Sequence, residues 1–141
     1  MSVDVVTLEI PARTEYLILA RLALAGIARG VEIDQATLAD LKLAVTEACG
    51  NAVLHARPGD EGTVTVRFMV SDDAIEIMVE DDGPGMDAAP APVLSEGELS
   101  ESGMGLAIIH ALVDRVEIGP GVGGRGTTVR MRRLRSAGTS A

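Results

Sequence analysis

Residues 62–70 and 74–80 each alternate apolar with polar side chains, and only Ser71-Asp72-Asp73 separates the two runs. Period-two alternation on both sides of so short a turn predicts a hairpin of antiparallel neighbours. Upstream, the alternation of residues 3–10 stops at Pro11, which reads as a first strand ended by the proline. Thr14 is placed to cap a helix from Glu15 to Arg29, where Leu17, Ala20, Leu24 and Ile27 keep helical spacing and Gly30 supplies a stop. Asp34 opens a second helix running to about His55. Downstream, Gly105 to Val113 returns to helical spacing, Arg115 to Ile118 is strand-like, and a glycine-rich turn over 119–126 leads into a last strand from Thr127 to Leu134. On that strand Val129 and Met131 face the core while Arg130 and Arg132 face outward, so the terminal arginines call for no function.

With 141 residues, the chain is expected to form one domain over residues 1–135, with a flexible tail at 136–141. A chain of this length buries roughly two thirds of its unfolded surface. Tyr16 and Phe68 are its sole aromatic residues, so the core must be built from Ala, Val, Leu, Ile and Met. The formal net charge of −9 argues against a nucleic-acid binder, which would draw its affinity from Lys and Arg. Cys49 is the single cysteine, which excludes an intramolecular disulfide and a cysteine metal cluster. The N-terminus lacks a basic start and a long apolar run, and no stretch approaches 18 apolar residues, so a cytoplasmic chain without a membrane span is expected.

The acids are unevenly spread. From Ser71 to Ser102 the chain carries many carboxylates, including Asp81, Asp82 and Glu101, and no Lys or Arg. A bare polyphosphate would be repelled there, so binding one needs a divalent cation and backbone N–H donors. Residues 82–102 show no period and are rich in Pro, Gly, Ala, Ser and Glu, the composition and length of a lid or binding loop.

The second helix carries the most specific chemistry. At about 100° per residue, Leu41, Val45, Ala48 and Ala52 form one stripe facing the core. Glu47 and Asn51 lie to one side of it, with Leu43 and Leu54 beyond them and Lys42, Thr46 and Gly50 on a solvent-like arc. The pair is thus bracketed by apolar residues, as in a pocket wall. A boundary pair making local hydrogen bonds would show the same spacing, and taken alone that is the commoner case. A Glu and an amide oxygen on adjacent turns also suit a magnesium site that has few protein ligands and takes the rest from phosphates. In that reading Asn51 is the ligand and Glu47 orients or deprotonates a nucleophile. With two histidines in the chain a histidine metal cluster is excluded, and His55 reads as structural.

Asp81 ends a strand, and Gly83-Pro84-Gly85 turns the backbone at once. Such a turn is ordinary, but an acid held there also accepts a hydrogen bond from an adenine amino group while glycines keep side chains out of the ring's path. Gly103-Met104-Gly105-Leu106 leads into a helix whose free N–H groups suit phosphate oxygens without a basic side chain. Thr127, after Gly126, offers a hydroxyl on the last strand. No GxxxxGK[ST] and no GxGxxG after a first strand are present, which removes the P-loop and Rossmann alternatives.

The order Glu-x-x-x-Asn, Asp-x-Gly-x-Gly, Gly-x-Gly, Gly-Thr resembles the GHKL ATPase superfamily, which includes gyrase and the histidine kinases. That resemblance implies the Bergerat fold: an α/β two-layer sandwich with a mixed, mostly antiparallel sheet covered on one face by helices, ATP lying between the helices and a mobile lid. Within it, Asp40 to Ala56, Ile10 to Tyr16 and Leu99 to Leu106 resemble the anti-sigma factor serine kinases of bacterial partner-switching systems, especially the general-stress (sigma-B) branch. The likeness spans nearly the whole chain. It implies Glu47 as catalytic base, Asn51 as magnesium ligand and Asp81 as adenine contact, with Gly83, Gly85, Gly103, Met104, Gly105, Leu106 and Thr127 shaping the ATP pocket. It further implies a homodimer that sequesters a sigma factor and phosphorylates a serine of a STAS-type anti-anti-sigma protein, with Arg21 at the partner surface. Two departures stand out: Gly50 where many relatives have Thr, and Glu101 where the sporulation branch has Arg. An ATP-organised binding module without chemistry is one alternative; a detached histidine-kinase ATPase domain is another, disfavoured because no helical hairpin with an acceptor histidine is present.

Overall fold

The computed structural model describes residues 3–55, 62–83, 104–121 and 126–135, and of Met104 the backbone alone. Five strands, β1 (Asp4–Pro11), β2 (Thr63–Val70), β3 (Ala74–Asp81), β4 (Arg115–Pro120) and β5 (Thr127–Leu134), make one sheet of order β1-β2-β3-β5-β4. All four described pairings are antiparallel. Among the described residues the α-helices are α1 (Leu17–Arg29), α2 (Gln35–His55) and α3 (Met104–Leu112).

The β2–β3 hairpin forms as its alternation predicts. Val66 pairs with Val79, Phe68 with Ile77 and Val70 with Ile75, so the apolar members of both strands share one face. At the turn, Ser71 N–H donates to Ala74 O at 3.0 Å. That face is the floor of the core: Val64, Val66, Phe68, Ile75, Ile77 and Val79 are buried against Leu41, Val45 and Ala48 of α2, Ala20 and Leu24 of α1, and Ile109 of α3. Burying Phe68 alone is worth roughly 1.5–3 kcal/mol. On β5, Met131 is buried and Arg130 exposed, as the strand's alternation requires.

The connectivity matters for function. Because β5 inserts between β3 and β4, the end of β3 meets the start of β5, with Glu80 paired to Thr128. Asp81 and Thr127 are thereby neighbours at one end of the sheet. α2 lies across the sheet and packs against both α1 and α3.

One expectation at the N-terminal side is corrected. Thr14 does not cap α1: Thr14–Tyr16 form a 3₁₀ turn with no side-chain cap, and Tyr16 N–H reaches Arg13 O at 3.1 Å, so the backbone satisfies the donor itself. Pro11 ends β1 as expected, as its last residue, opposite Thr63. A proline is tolerated there because β1 is an edge strand. Asp34 does open α2, accepting from Thr37 N–H at 3.3 Å. Among the described residues no helix is long and apolar enough to cross a membrane.

Candidate functional site

Glu47 and Asn51 stand half-buried on the flank of α2 that turns toward α3. Gly105, in the first turn of α3, rests on them. A Cβ added at Gly105 would lie 3.2 Å from Glu47 Oε1, 3.2 Å from Asn51 Nδ2 and 3.4 Å from Asn51 Oδ1. Glycine at this position leaves the helix start bare where any side chain would crowd both polar groups, and the first-turn N–H groups of α3 have no partner inside the helix.

The cover over the pair thus comes from α3 and not from the apolar bracket read in the sequence. Leu43 and Leu54 are 45% and 64% exposed. Lys42, Thr46 and Gly50 are half-buried instead of fully solvated, with Thr46 Oγ1 donating to Lys42 O at 2.7 Å. The core stripe is as expected: Leu41, Val45, Ala48 and Ala52 are all buried. So is Cys49, whose thiol burial pushes up to about 12.

A second cluster sits at the C-terminal end of α2. Asp81 is 5% exposed, and its Oδ1 accepts Gly83 N–H at 2.8 Å. Burial raises its carboxyl pKa from 3.8; the Gly83 N–H, the nearby His55 and the Thr127 N–H act against that, and the Asp82 charge adds to it. Asp82 turns elsewhere, its Oδ2 accepting from Thr63 N–H at 3.1 Å and Thr63 Oγ1 at 3.2 Å.

The glycines here answer first to the chain's own packing. A Cβ at Gly83 would stand 1.7 Å from His55 O, and one at Gly126, where φ is +71°, 1.8 Å from Asp81 O. Gly83 lets the end of α2 close on the strand end, and Gly126 lets β5 start directly against Asp81. Packing against the His55 carbonyl is thus a role for Gly83 beside the expected one of keeping side chains out of a ligand's path.

Of the remaining expected residues, Met104 opens α3, Leu106 packs half-buried against the core, and Thr127 begins β5. Arg21 is exposed on α1. Gly85, Gly103 and all of the expected lid beyond Gly83 lie outside the described residues. Sequence reasoning passed over Arg133, dismissed with the terminal arginines. It joins Asp40, Thr37 and the Leu112 carbonyl, and its inward parity with Val129 and Met131 was the available signal.

The donors present fit magnesium and ATP. Glu47 and Asn51 offer hard oxygens beside a cradle that one methyl group would fill. Among the described residues no three His, Cys, Asp or Glu side chains converge on a metal position. A cation held at Asn51 would therefore complete its shell from phosphates and water, which is the usual habit of magnesium.

The fold and this paired cluster define an ATPase domain of the histidine-kinase type, and comparison with known proteins agrees. The family model described as histidine kinase-like ATPase domain matches residues 10–133. The serine-protein kinase RsbW of Bacillus pumilus is 38% identical over 128 residues, covering 83% of this chain and 79% of the relative. RsbW of Bacillus subtilis strain 168 is 36% identical over 126 residues, with the same coverage. A solved structure of RsbU and RsbW domains from Mycobacterium tuberculosis superposes with a TM-score of 0.69 at 24% identity, covering 93% of this chain and 32% of that one, a likeness of fold. A histidine kinase domain from Erythrobacter litoralis gives a TM-score of 0.53 at 26% identity, covering 93% of this chain and 64% of that one. The chain belongs to the histidine kinase-like ATPase family and, within it, to the RsbW serine-protein kinases.

Proposed function

We propose that the protein is an anti-sigma factor that binds ATP with magnesium, sequesters a sigma factor, and phosphorylates a serine of a STAS-type anti-anti-sigma protein. The observation that carries the reading is the contact of Gly105 with Glu47 and Asn51, which brings a carboxylate, an amide oxygen and a helix N-terminus to one point. Bound ATP and magnesium would supply the transferable phosphoryl group and neutralise its charge.

The chain's own residues do the rest. Asn51 Oδ1 ligates the cation, and first-turn N–H groups of α3 take phosphate oxygens, a role that needs no basic side chain. Glu47 orients the partner's serine hydroxyl and accepts its proton, the part a positioned acid plays in phosphoryl transfer. Asp81, through the carboxylate oxygen left by Gly83, accepts from the adenine amino group. Gly85, Gly103, Met104, Leu106 and Thr127 complete the pocket, and Arg21 on the exposed face of α1 contacts partners. A homodimer in the cytoplasm completes the proposed assembly.

Incubating the protein with ATP, magnesium and its cognate STAS protein should yield phosphoserine on the partner and ADP in equal amounts. ATP recovered intact alongside a stable complex would replace the kinase with a binding module that uses ATP as an organiser. Phosphate on a histidine would revive the histidine-kinase alternative. Pull-downs with and without ATP should exchange a sigma factor for a STAS protein.

A further inference from the structure

Arg133 is the inward-facing residue near the end of β5, opposite Ile75, with its side chain 23% exposed. A charged group on the core side of a sheet is costly unless every neighbour answers it. Here the answers come from both helices that frame the site. Arg133 Nη1 donates to Asp40 Oδ2 of α2 at 2.9 Å and to the carbonyl of Leu112, the last residue of α3. Nη2 reaches Thr37 Oγ1 of α2 at 3.4 Å. The hydroxyl belongs to a buried residue, and its hydrogen bonding lowers the pKa of Asp34 at the start of α2, with a smaller share from the guanidinium.

These contacts fall on one seam. Asp40, Glu47 and Asn51 are seven and four residues apart, which places all three on the same flank of α2 within roughly 40°. α3 runs against that flank, with Gly105 on Glu47 and Asn51 at one end and Leu112 beside Asp40 at the other. From Gly105 to Leu112 is about 10 Å of helix, short enough that α3 moves as a rigid rod. Holding its C-terminal carbonyl to Asp40 therefore sets how closely Gly105 sits on the other end of the seam. Arg133 also places its charge at the negative end of α3.

We propose that Arg133 is a positioning residue: by pinning the C-terminus of α3 to Asp40 it fixes the gap between Gly105 and the Glu47–Asn51 pair, and so tunes nucleotide affinity from the far end of the helix. The effect on affinity rests on the nucleotide reading of that pair; the effect on the gap does not.

The test uses Arg133→Gln and Arg133→Lys in the full chain, with three measurements. These are magnesium-dependent binding of a fluorescent ATP analogue, the urea unfolding midpoint, and the amide resonance of Gly105 without ligand. In folded Arg133→Gln the dissociation constant is expected to rise about fivefold to thirtyfold, the upper part of the roughly twofold to thirtyfold coupling that packed networks transmit. The Gly105 resonance should move with it. Arg133→Lys, which keeps a charge able to bridge Asp40 and the Leu112 carbonyl, should recover most of both. A folded Arg133→Gln with affinity within twofold of the parent and an unmoved Gly105 resonance overturns the inference. Should Arg133→Gln not fold, Asp40→Asn decides, with a smaller loss and a Gly105 shift expected and unchanged values overturning it. If the parent fails to bind the analogue, the nucleotide reading fails, and the ligand-free Gly105 resonance still decides the positioning claim.

Discussion

Gly105→Ala separates folding from function by the size of a single methyl group. Ordinary contacts of a Cβ lie at 3.4–4 Å, and the new carbon would begin at 3.2 Å from Glu47 Oε1 and Asn51 Nδ2. Relief requires both side chains, or the start of α3, to shift by a few tenths of an ångström. Neither neighbour is backbone, so the fold can yield. Alanine gains up to about 1 kcal/mol over glycine in a helix, less in its first turn, so net stability should stay within about 1 kcal/mol of the parent. The function cannot yield so easily, because the two side chains that must shift are those assigned to the cation and the serine proton. A misplacement of about 1 Å can cost a hundredfold in rate, so a few tenths at two groups should cost roughly tenfold or more in transfer. Urea unfolding, ATP-analogue titration and single-turnover transfer to the STAS partner would be run on the same preparation. A folded Gly105→Ala protein that binds and transfers like the parent would refute the assignment of this contact as the site.

Three further outcomes are expected. Gly83→Ala should cost about 3 kcal/mol or more in urea unfolding, because its Cβ would meet the His55 carbonyl at 1.7 Å and backbone cannot move aside cheaply. Gly50→Ala should instead stabilise by about 1 kcal/mol, since nothing lies within 4 Å of a Cβ there and glycine is a poor residue for a helix interior. For Asp81, burial holds the proton in the folded state at pH values where the unfolded chain has lost it. Its contribution to stability is thus fullest below pH 3.8 and lost as pH rises through the raised pKa. The unfolding free energy of the parent relative to Asp81→Asn should therefore fall as pH climbs from 3.8; a flat or rising difference would contradict the burial argument.

The regular parts of the fold were legible because they rest on periodicity. The β2–β3 hairpin, the core stripe of α2 and the span of β5 follow from alternation and helical spacing alone, and each stands where that pattern puts it. The start of α1 was not legible, because a 3₁₀ turn satisfies its donors through backbone and leaves no side-chain signature at Thr14. Glu47 and Asn51 were visible as a spaced pair, but the reason for their half-burial was not. Gly105 is 54 residues beyond Asn51, and contacts at that separation leave no local pattern. Gly83 shows the same limit: a glycine after a strand reads as a turn, whereas its pressure against His55 is purely tertiary. Arg133 was misjudged because a charge near a strand end is commonly solvated, and its inward parity gained meaning only once Asp40 and Leu112 were placed around it.

The central claim, that Glu47 receives the proton of the partner's serine while Asn51 holds the cation, is tested most directly by Glu47→Gln in single-turnover transfer from ATP at saturating magnesium and STAS protein. The substitution keeps size and removes the base. The account predicts transfer slowed by about a hundredfold to ten-thousandfold, the usual worth of a general base, with ATP affinity within a fewfold of the parent. Transfer at the parental rate would contradict it.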